Sequence, residues 1–569
     1  MHPRITRREW SHALIWALAL MALTCAPYIA NTAAQTGEWV FGGSVLGVTD
    51  GNSYLAKMRQ GARGGWLFHI VYTPEEHDGA LLFLPYLVLG RVAALFADPS
   101  SPELVPAMIA VFHSARVIFG VLLILMTYRF IAAFLVAPSA RLAATALITA
   151  GGGLGWLLAL FGQGEALGSQ PVDFYVPEGY TFLILYHLPH MALARALLLA
   201  GLLMLLDQPG EAPADWRPCE PFAGRRRPRT WLPQALMAGL CWVGVGLCVP
   251  FYLAVLYAIL GAWGIGLWLR RRRFPWGLFW SAAAGASVTL PLLVYTAYHF
   301  ITNAAFAQWS AQNRLPSPHP LHYIAGYLVF LLPAFWGIRW AWGTPRATAR
   351  GRAGKMLLVS WVAVAPVLAY LPVNVQRRLV EAIIVPLGIL AVAGLRAVVA
   401  PWLARRLHIW RRRAWSLSLG LMLALALPTN LLLVAGGIAS AARPGWPVFH
   451  PAAEIAAMDW LAAHAPGGAV VLGAFETGNY LPVRADVRVF LGHGPETLFA
   501  DEKQRTVEAF FRRHMNAGER KALYREYDIA YVFYGPQEGA EPGAPPPAWS
   551  TDLDLVYAAG EYSIFAVRQ

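Results

Sequence analysis

The sequence predicts a mostly α-helical, polytopic membrane protein that ends in a small α/β domain, and three observations predict it. Hydrophobic residues make up 57% of the 569 and charged residues only 14%, a balance typical of chains that cross a bilayer many times. Many apolar residues gather into runs of about 20, the length that spans a hydrocarbon core. Beyond residue 445 such runs stop and short alternating segments take over.

Apolar runs that read as spans lie near 12–34, 106–135, 142–162, 180–206, 232–249, 251–269, 276–298, 321–342, 356–373, 382–402 and 414–438. That makes about eleven spans. The first follows Arg4, Arg7 and Arg8 as a signal peptide would, but it outruns a signal core and "NTAAQTG" is a poor cleavage site, so it reads as a retained span. A further run, "ALLFLPYLVLGRVAALFA" at 80–97, carries Pro85 and Arg91. Charge parity places it as a juxtamembrane or re-entrant helix.

The parity argument rests on arginine. If 80–97 does not cross, one side collects Arg4/Arg7/Arg8, Arg217, Arg225–Arg227, Arg229, Arg270–Arg273, Arg346/Arg350/Arg352/Lys355 and Arg405/Arg406/Arg411–Arg413. The opposite short loops keep Lys57, Arg59, Arg63, Arg314, Arg377 and Arg378. A crossing at 80–97 would destroy that bias, so the N-terminus reads as cytoplasmic, and residues 35–105, 163–179, 299–320, 374–381 and the tail read as outer. The same distribution explains the net charge of +13 without nucleic acid. Cys25, Cys241 and Cys248 fall in or at apolar segments and Cys219 in a basic loop, so no disulfide framework or zinc spacing is present.

The tail reads differently. "PAAEIAAMDWLAAHAP" and "DEKQRTVEAFFRRHM" have helical periodicity, while "AVVLGA", "VRVFLG", "IAYVFYG" and "YSIFAVR" read as strands. Residues 1–440 thus form a transmembrane domain with outer loops, and 445–569 an extracytoplasmic α/β domain; "GAEPGAPPP" reads as an exposed loop.

The unusual polar residues collect on the outer face. "GVTDGNSYLAKMRQG" sets Asp50 just after the first span; "YTPEEHDG" supplies Glu75, Glu76, His77 and Asp78; "PVDFYVPEGY" supplies Asp173 and Glu178; "YHLPHMALAR" supplies His187 and His190; and "PVNVQRRLVEA" sets Arg377 and Arg378 before Glu381. Charged and imidazole groups at membrane depth face a cavity or a partner. A carboxylate there can take a proton from an attacking hydroxyl, and arginines or a histidine can balance a departing phosphate. Each residue also has a plainer reading. Asp50 suits a helix N-cap, the acids of 75–78 favour a helix dipole, His187 and His190 flank a kink at Pro189, and Arg377/Arg378 can anchor at the interface. Glu476, His493 and Glu496 of the tail suit a structural or acceptor-docking role.

An acid after the first span, an outer loop ending in "EEHDGALLFLPYLVLG", a second acidic outer loop, many spans and an outer C-terminal domain together resemble the GT-C glycosyltransferases. Among these the resemblance is to protein O-mannosyltransferases and lipid A aminoarabinose transferases. It implies inverting transfer of a sugar from a polyprenyl-phosphate carrier at the outer face of the cytoplasmic (inner) membrane. The acceptor is a glycan, lipid or protein. Asp50 is implied as general base. By the residue chemistry above, Asp173 and Glu178 assist at the anomeric carbon, while Arg377, Arg378, His190, His77 and Glu75 contact substrate. A divalent cation, Mg or Mn, can assist phosphate departure, but no ligand set is fixed by sequence. Gly51 stands where the family often has a second acid, and the "WWD" of oligosaccharyltransferases is missing, which argues against transfer to asparagine.

Two rivals come from other classes. A transporter or flippase of a lipid-linked or small polar solute would show an inverted repeat or paired broken helices, and no repeat is present. A scaffold whose outer domain binds a partner would leave Asp50 dispensable. No P-loop, GxSxG, HExxH or CxxC pattern points to another enzyme.

Overall fold

The structure is a computed structural model and describes residues 5–206, 231–342, 349–512, 515–541 and 547–568. Arg4, Arg217, Cys219, Arg225–Arg227, Arg229, Arg346 and most of the "GAEPGAPPP" loop lie outside the described residues.

The first half of the chain runs α1 (Arg7–Ala33), β1 (Trp39–Phe41), α2 (Val48–Ala62), α3 (Leu84–Ala93), α4 (Leu104–Ile131), α5 (Pro138–Ala150), α6 (Gly155–Leu160), α7 (Val172–Tyr175), α8 (Thr181–His187), α9 (Pro189–Leu206), α10 (Trp231–Cys248) and α11 (Tyr252–Arg271). It continues with α12 (Trp276–Thr302), α13 (Ala304–Gln312), α14 (Pro320–Trp342), α15 (Ala349–Ala369), α16 (Ile384–Gly394), α17 (Ala400–Arg406), α18 (Arg411–Ala426) and α19 (Pro428–Ala439). The C-terminal part is β2 (Phe449–Pro451), α20 (Ala452–His464), β3 (Ala469–Leu472), α21 (Phe475–Arg484), β4 (Val487–Val489), α22 (Ala500–Phe511), α23 (Ala517–Glu526), β5 (Ile529–Tyr534), β6 (Leu553–Ala559) and β7 (Tyr562–Val567).

Among the described residues, eight helices are long and apolar enough to cross a membrane, or nine when α18 and α19, bent by 43°, count as one span. Pro428 begins the second arm of that bend, where it removes a helix hydrogen bond. Nine of the eleven expected runs are thereby matched, and the other two differ for visible reasons. The run at 142–162 breaks into α5 and α6 at Gly151–Leu154, and the run at 356–373 falls on α15, whose apolar part, Ala353–Ala369, is short for a span. Helix α3, within 80–97, has 10 residues, about 15 Å of helix against a core of about 30 Å.

The chain divides into two compact units. The first comprises Met1–Thr24, Arg116–Tyr295 and Leu315–Val434. Apolar helix surfaces gain little by meeting each other in lipid, so buried polar pairs select which helices associate. Glu9 of α1 accepts from Arg141 of α5 at 2.5 Å and from the Tyr128 hydroxyl of α4 at 3.1 Å. Buried Arg116 donates to Thr24 Oγ1 at 2.9 Å and to the Leu185 carbonyl at 3.0 Å.

The second unit comprises Cys25–Ala115, Thr296–Arg314 and Ala435–Gln569. Its sheet has the order β4-β3-β5-β7-β6, parallel between β3 and both neighbours and antiparallel beyond β5. Parallel β3 and β4 need a crossover, and α21 supplies it. β6 and β7 close through Gly560 and Glu561, with Gly560 at φ +61 as a tight hairpin demands. β1 pairs with β2 antiparallel, so the segment after α1 is hydrogen-bonded to the segment after α19. One core holds Leu55, Met58 and Tyr86 together with Met458, Tyr480 and Phe533. α2 and α3 touch backbone to backbone: a Cβ on Gly61 would lie 2.0 Å from the Leu87 carbonyl oxygen, and one on Gly90 1.8 Å from that of Met58.

Candidate functional site

In the second unit the polar residues converge on α2. The helix starts at Val48, with Gly47 in the left-handed conformation at its N-cap. Asp50 is therefore the third residue inside the helix and not its N-cap, which corrects the capping reading. Its carboxylate is 57% exposed and lies 3.3 Å from His493 Nε2, a ring only 5% exposed. His493 Nδ1 accepts the Glu496 backbone N–H at 3.3 Å. A neutral imidazole that accepts at Nδ1 carries its proton on Nε2, so that nitrogen donates to Asp50 Oδ1.

Two turns further on, Lys57 Nζ meets Glu496 Oε1 at 2.7 Å and also donates to Ser53 Oγ. Ser53 donates to the same carboxylate at 3.0 Å. Burial lowers the Lys57 pKa and the Glu496 charge opposes that shift. Asn52 Nδ2 donates to Asn479 Oδ1 at 2.8 Å, and Asn479 donates to the Gly492 carbonyl at 2.8 Å. Tyr72 donates to the Asn479 carbonyl at 3.1 Å, its phenol pKa raised by burial and by the charges of Glu496 and Asp50.

The loop "GHGPET" that carries His493 and Glu496 is itself fastened. The Thr497 hydroxyl accepts from the N–H groups of Gly492 and His493, and Gln312 of α13 donates to the carbonyls of Pro495 and Thr497. The segment "FETGNYLPVRADVRVFLGHGPET" thus braces α2 through Asn479, His493 and Glu496. Sequence alone gives it no role, because the pairing spans 443 residues.

Glu75 and His77 serve the loop after α2. Lys503 of α22 meets the Glu75 carboxylate at 2.7 Å, and the Thr73 hydroxyl donates to it as well. His77 Nε2 accepts the Ile70 N–H at 2.8 Å and Nδ1 donates to the Glu75 carbonyl at 2.9 Å. Both ring nitrogens are thus engaged by backbone, and burial lowers the His77 pKa.

The remaining candidates lie in the first unit. Asp173 is fully buried, and its Oδ2 accepts from the N–H groups of Gly153 and Gly155 at 2.9 and 3.1 Å and from the Thr429 hydroxyl at 2.7 Å. It ties α7 to the break between α5 and α6, and burial raises its pKa. Glu178 Oε1 lies 3.6 Å from Arg378 Nε; burial raises the Glu178 pKa and the Arg378 charge opposes it. Arg377 rests over the Tyr175 ring at 5.1 Å and Arg378 over the Phe251 ring at 5.7 Å. His190 is buried in the first turn of α9, beyond the break at Leu188 that Pro189 enforces.

Sequence reading passes over the pair that organises this group. Arg195 of α9 donates to both oxygens of Glu381, at 2.6 and 2.8 Å, to the Glu178 carbonyl at 2.7 Å and to Thr181 Oγ1 at 3.1 Å. The Ala382 N–H also donates to the Glu178 carbonyl at 2.9 Å. The Arg377–Arg378 segment and the Glu178 loop are thereby held in one register. The available signal was Arg195 itself, a charge deep in an apolar run. Among the described residues no group of three His, Cys, Asp or Glu side chains is placed to hold a metal ion. A cation bound among the described residues would therefore have fewer than three such side chains as ligands.

No protein-family model matches the sequence, and no curated protein matches it. Solved structures do. The oligosaccharyltransferase of Archaeoglobus fulgidus in its apo form is 13% identical with a TM-score of 0.52, over 92% of this chain and 69% of that one. The same protein tethered to an acceptor peptide containing the NVT sequon gives 13% identity and a TM-score of 0.51, over 97% and 74%. ArnT from Cupriavidus metallidurans, bound to undecaprenyl phosphate, aligns over 97% of this chain and 98% of its own at 14% identity and a TM-score of 0.49. The oligosaccharyltransferase likeness is one of fold: the chain shares the fold of the Archaeoglobus fulgidus enzyme, and its long apolar helices make it a membrane protein.

Proposed function

We propose that the protein is a glycosyltransferase that moves a sugar from a polyprenyl-phosphate carrier to a hydroxyl acceptor at the outer face of the cytoplasmic membrane. The N-terminus is then cytoplasmic and the C-terminal α/β region extracytoplasmic, as the arginine distribution requires. The observation that carries the reading is Asp50: Asn52, Ser53 and Lys57, which follow it on α2, are buried, whereas its own carboxylate is more than half exposed and is held in place by His493.

In the reaction, Asp50 takes the proton of the acceptor hydroxyl as that oxygen bonds to the anomeric carbon. The bond from that carbon to the phosphate oxygen breaks, polyprenyl phosphate leaves, and the anomeric configuration inverts. Arg377 and Arg378 balance the charge of the departing phosphate, with His190 assisting. Asp173 and Glu178 act through the segments they hold, and Glu75 and His77 through the loop after α2. The acceptor is a protein, lipid or glycan hydroxyl.

The test compares wild type with Asp50→Asn in membranes given radiolabelled polyprenyl-phosphate sugars, with folding checked by size exclusion in detergent. Loss of turnover with donor binding retained supports the assignment. Equal turnover by a folded Asn variant overturns it.

A further inference from the structure

We propose that His493, delivered by the C-terminal α/β region, is a positioning residue for Asp50, its Nε2–H fixing one carboxylate oxygen so that the group stays ionised and aimed. The proposal rests on the reading of Asp50 as the base. Three features of the geometry carry it. The two imidazole nitrogens have separate partners, since Nδ1 accepts the Glu496 N–H and so belongs to its own loop, while Nε2 reaches 3.3 Å to Asp50 Oδ1 and belongs to α2. The ring cannot slide away, because it is 5% exposed and packs 5.3 Å from the Tyr72 ring. The loop is locked to the same helix two turns later by Lys57 and Glu496, so His493 and Asp50 share one rigid frame.

The tautomer also limits what His493 can do. To accept a proton from Asp50, Nε2 would first have to give up the one it holds, and Nδ1 would have to surrender the Glu496 N–H. His493 therefore orients the carboxylate and does not relay its proton. The charged and titratable groups near this pair include Lys57, Glu496 and Tyr72. A hydrogen bond donated to a carboxylate favours its ionised form.

Two substitutions separate the duties of the two nitrogens. Asn at 493 places an oxygen near Nδ1, preserving the contact to the Glu496 N–H, but leaves nothing at Nε2. Gln places an amide N–H near Nε2. The experiment is carbodiimide–amine labelling of the full-length protein in detergent, with Asp50 modification followed by peptide mass spectrometry across pH. Carbodiimide attacks the protonated carboxyl, so the labelling midpoint reports Asp50 ionisation. His493→Asn should raise Asp50 labelling about three- to tenfold on the alkaline side of the wild-type midpoint, and His493→Gln should leave it within about twofold. Wild-type labelling in His493→Asn, or equal changes in both variants, overturns the proposal and leaves His493 as a loop residue. Turnover plays no part in this readout, so it stands apart from the Asp50→Asn assay: expected labelling with an active Asp50→Asn would mean a positioned Asp50 that is not the base.

Discussion

Arg195 closes both arms on Glu381, at 2.6 and 2.8 Å, with neither side chain exposed. A buried pair of this kind adds little net stability over an apolar replacement, but breaking it strands a charge. Arg195→Met should therefore destabilise by about 3–5 kcal/mol, and Arg195→Met with Glu381→Met should recover most of the loss. Thermal unfolding in detergent, followed by intrinsic fluorescence, measures both. A double variant no better than the single would contradict the account.

Arg377 and Arg378 extend that argument to the donor. Replacing both by Gln should raise the KM for a polyprenyl-phosphate sugar by about tenfold or more, the loss expected for charge-assisted contacts to phosphate. Unchanged donor affinity would show that they serve as interfacial anchors.

Gly51 explains why this chain has one acid after its first span and not two. A Cβ at 51 would sit 2.2 Å from Ser44 Oγ, so any side chain must displace Ser44. Gly51→Ala should lower the unfolding midpoint by several degrees, and Ser44→Gly in the same chain should restore most of it, if the clash is the cause. Gly51→Asp should not restore an acidic pair but should disturb Asp50 and with it turnover.

Glu538 gives the C-terminal α/β region a pH dependence. It accepts from the Ala474 N–H, the Thr477 hydroxyl and the Gly535 N–H, yet full burial raises its pKa from 4.5 to about 7. Between those values the folded state keeps a proton that the unfolded chain has released. The stability contributed by this group is thus present below pH 4.5, is lost as pH rises towards 7, and changes little above; the loss is at most about 3 kcal/mol. Glu538→Gln should flatten the difference in unfolding midpoint between pH 5 and pH 8. A wild-type slope in that variant would place the dependence elsewhere.

What was legible in the sequence follows from the range of the physics involved. Spans, the short α3 and the strands β3, β4, β5 and β7 are set by local apolar patterning, and they are present in the structure. The break inside 142–162 was not legible, because "GGG" is compatible with a glycine-rich helix until Asp173 and Thr429 supply hydrogen-bond partners. β6 was missed because its register is set by β7, and α21 because Gly478 and Pro482 weaken its helical propensity. At the candidate site, Asp50 and the Arg377–Arg378 pair were visible as charges in costly places. The pairings of His493 with Asp50, Lys57 with Glu496 and Arg195 with Glu381 were not, since nothing local marks which distant charge a buried side chain will meet.

The distance between Asp50 and His493 along the chain also sets a clock. A ribosome adds about 5–20 residues per second, so the 443 residues separating them take roughly 20 to 90 s to make. During that interval the later candidate spans, from Leu104 onwards, are made one after another, and the nascent chain carries Asp50 without the imidazole beside it. A product cut off between the last span and His493 keeps its candidate spans but lacks the imidazole beside Asp50. If Asp50 is the base proposed above, synthesis of the segment that carries His493, and not membrane insertion, is the step at which the nascent chain can become competent.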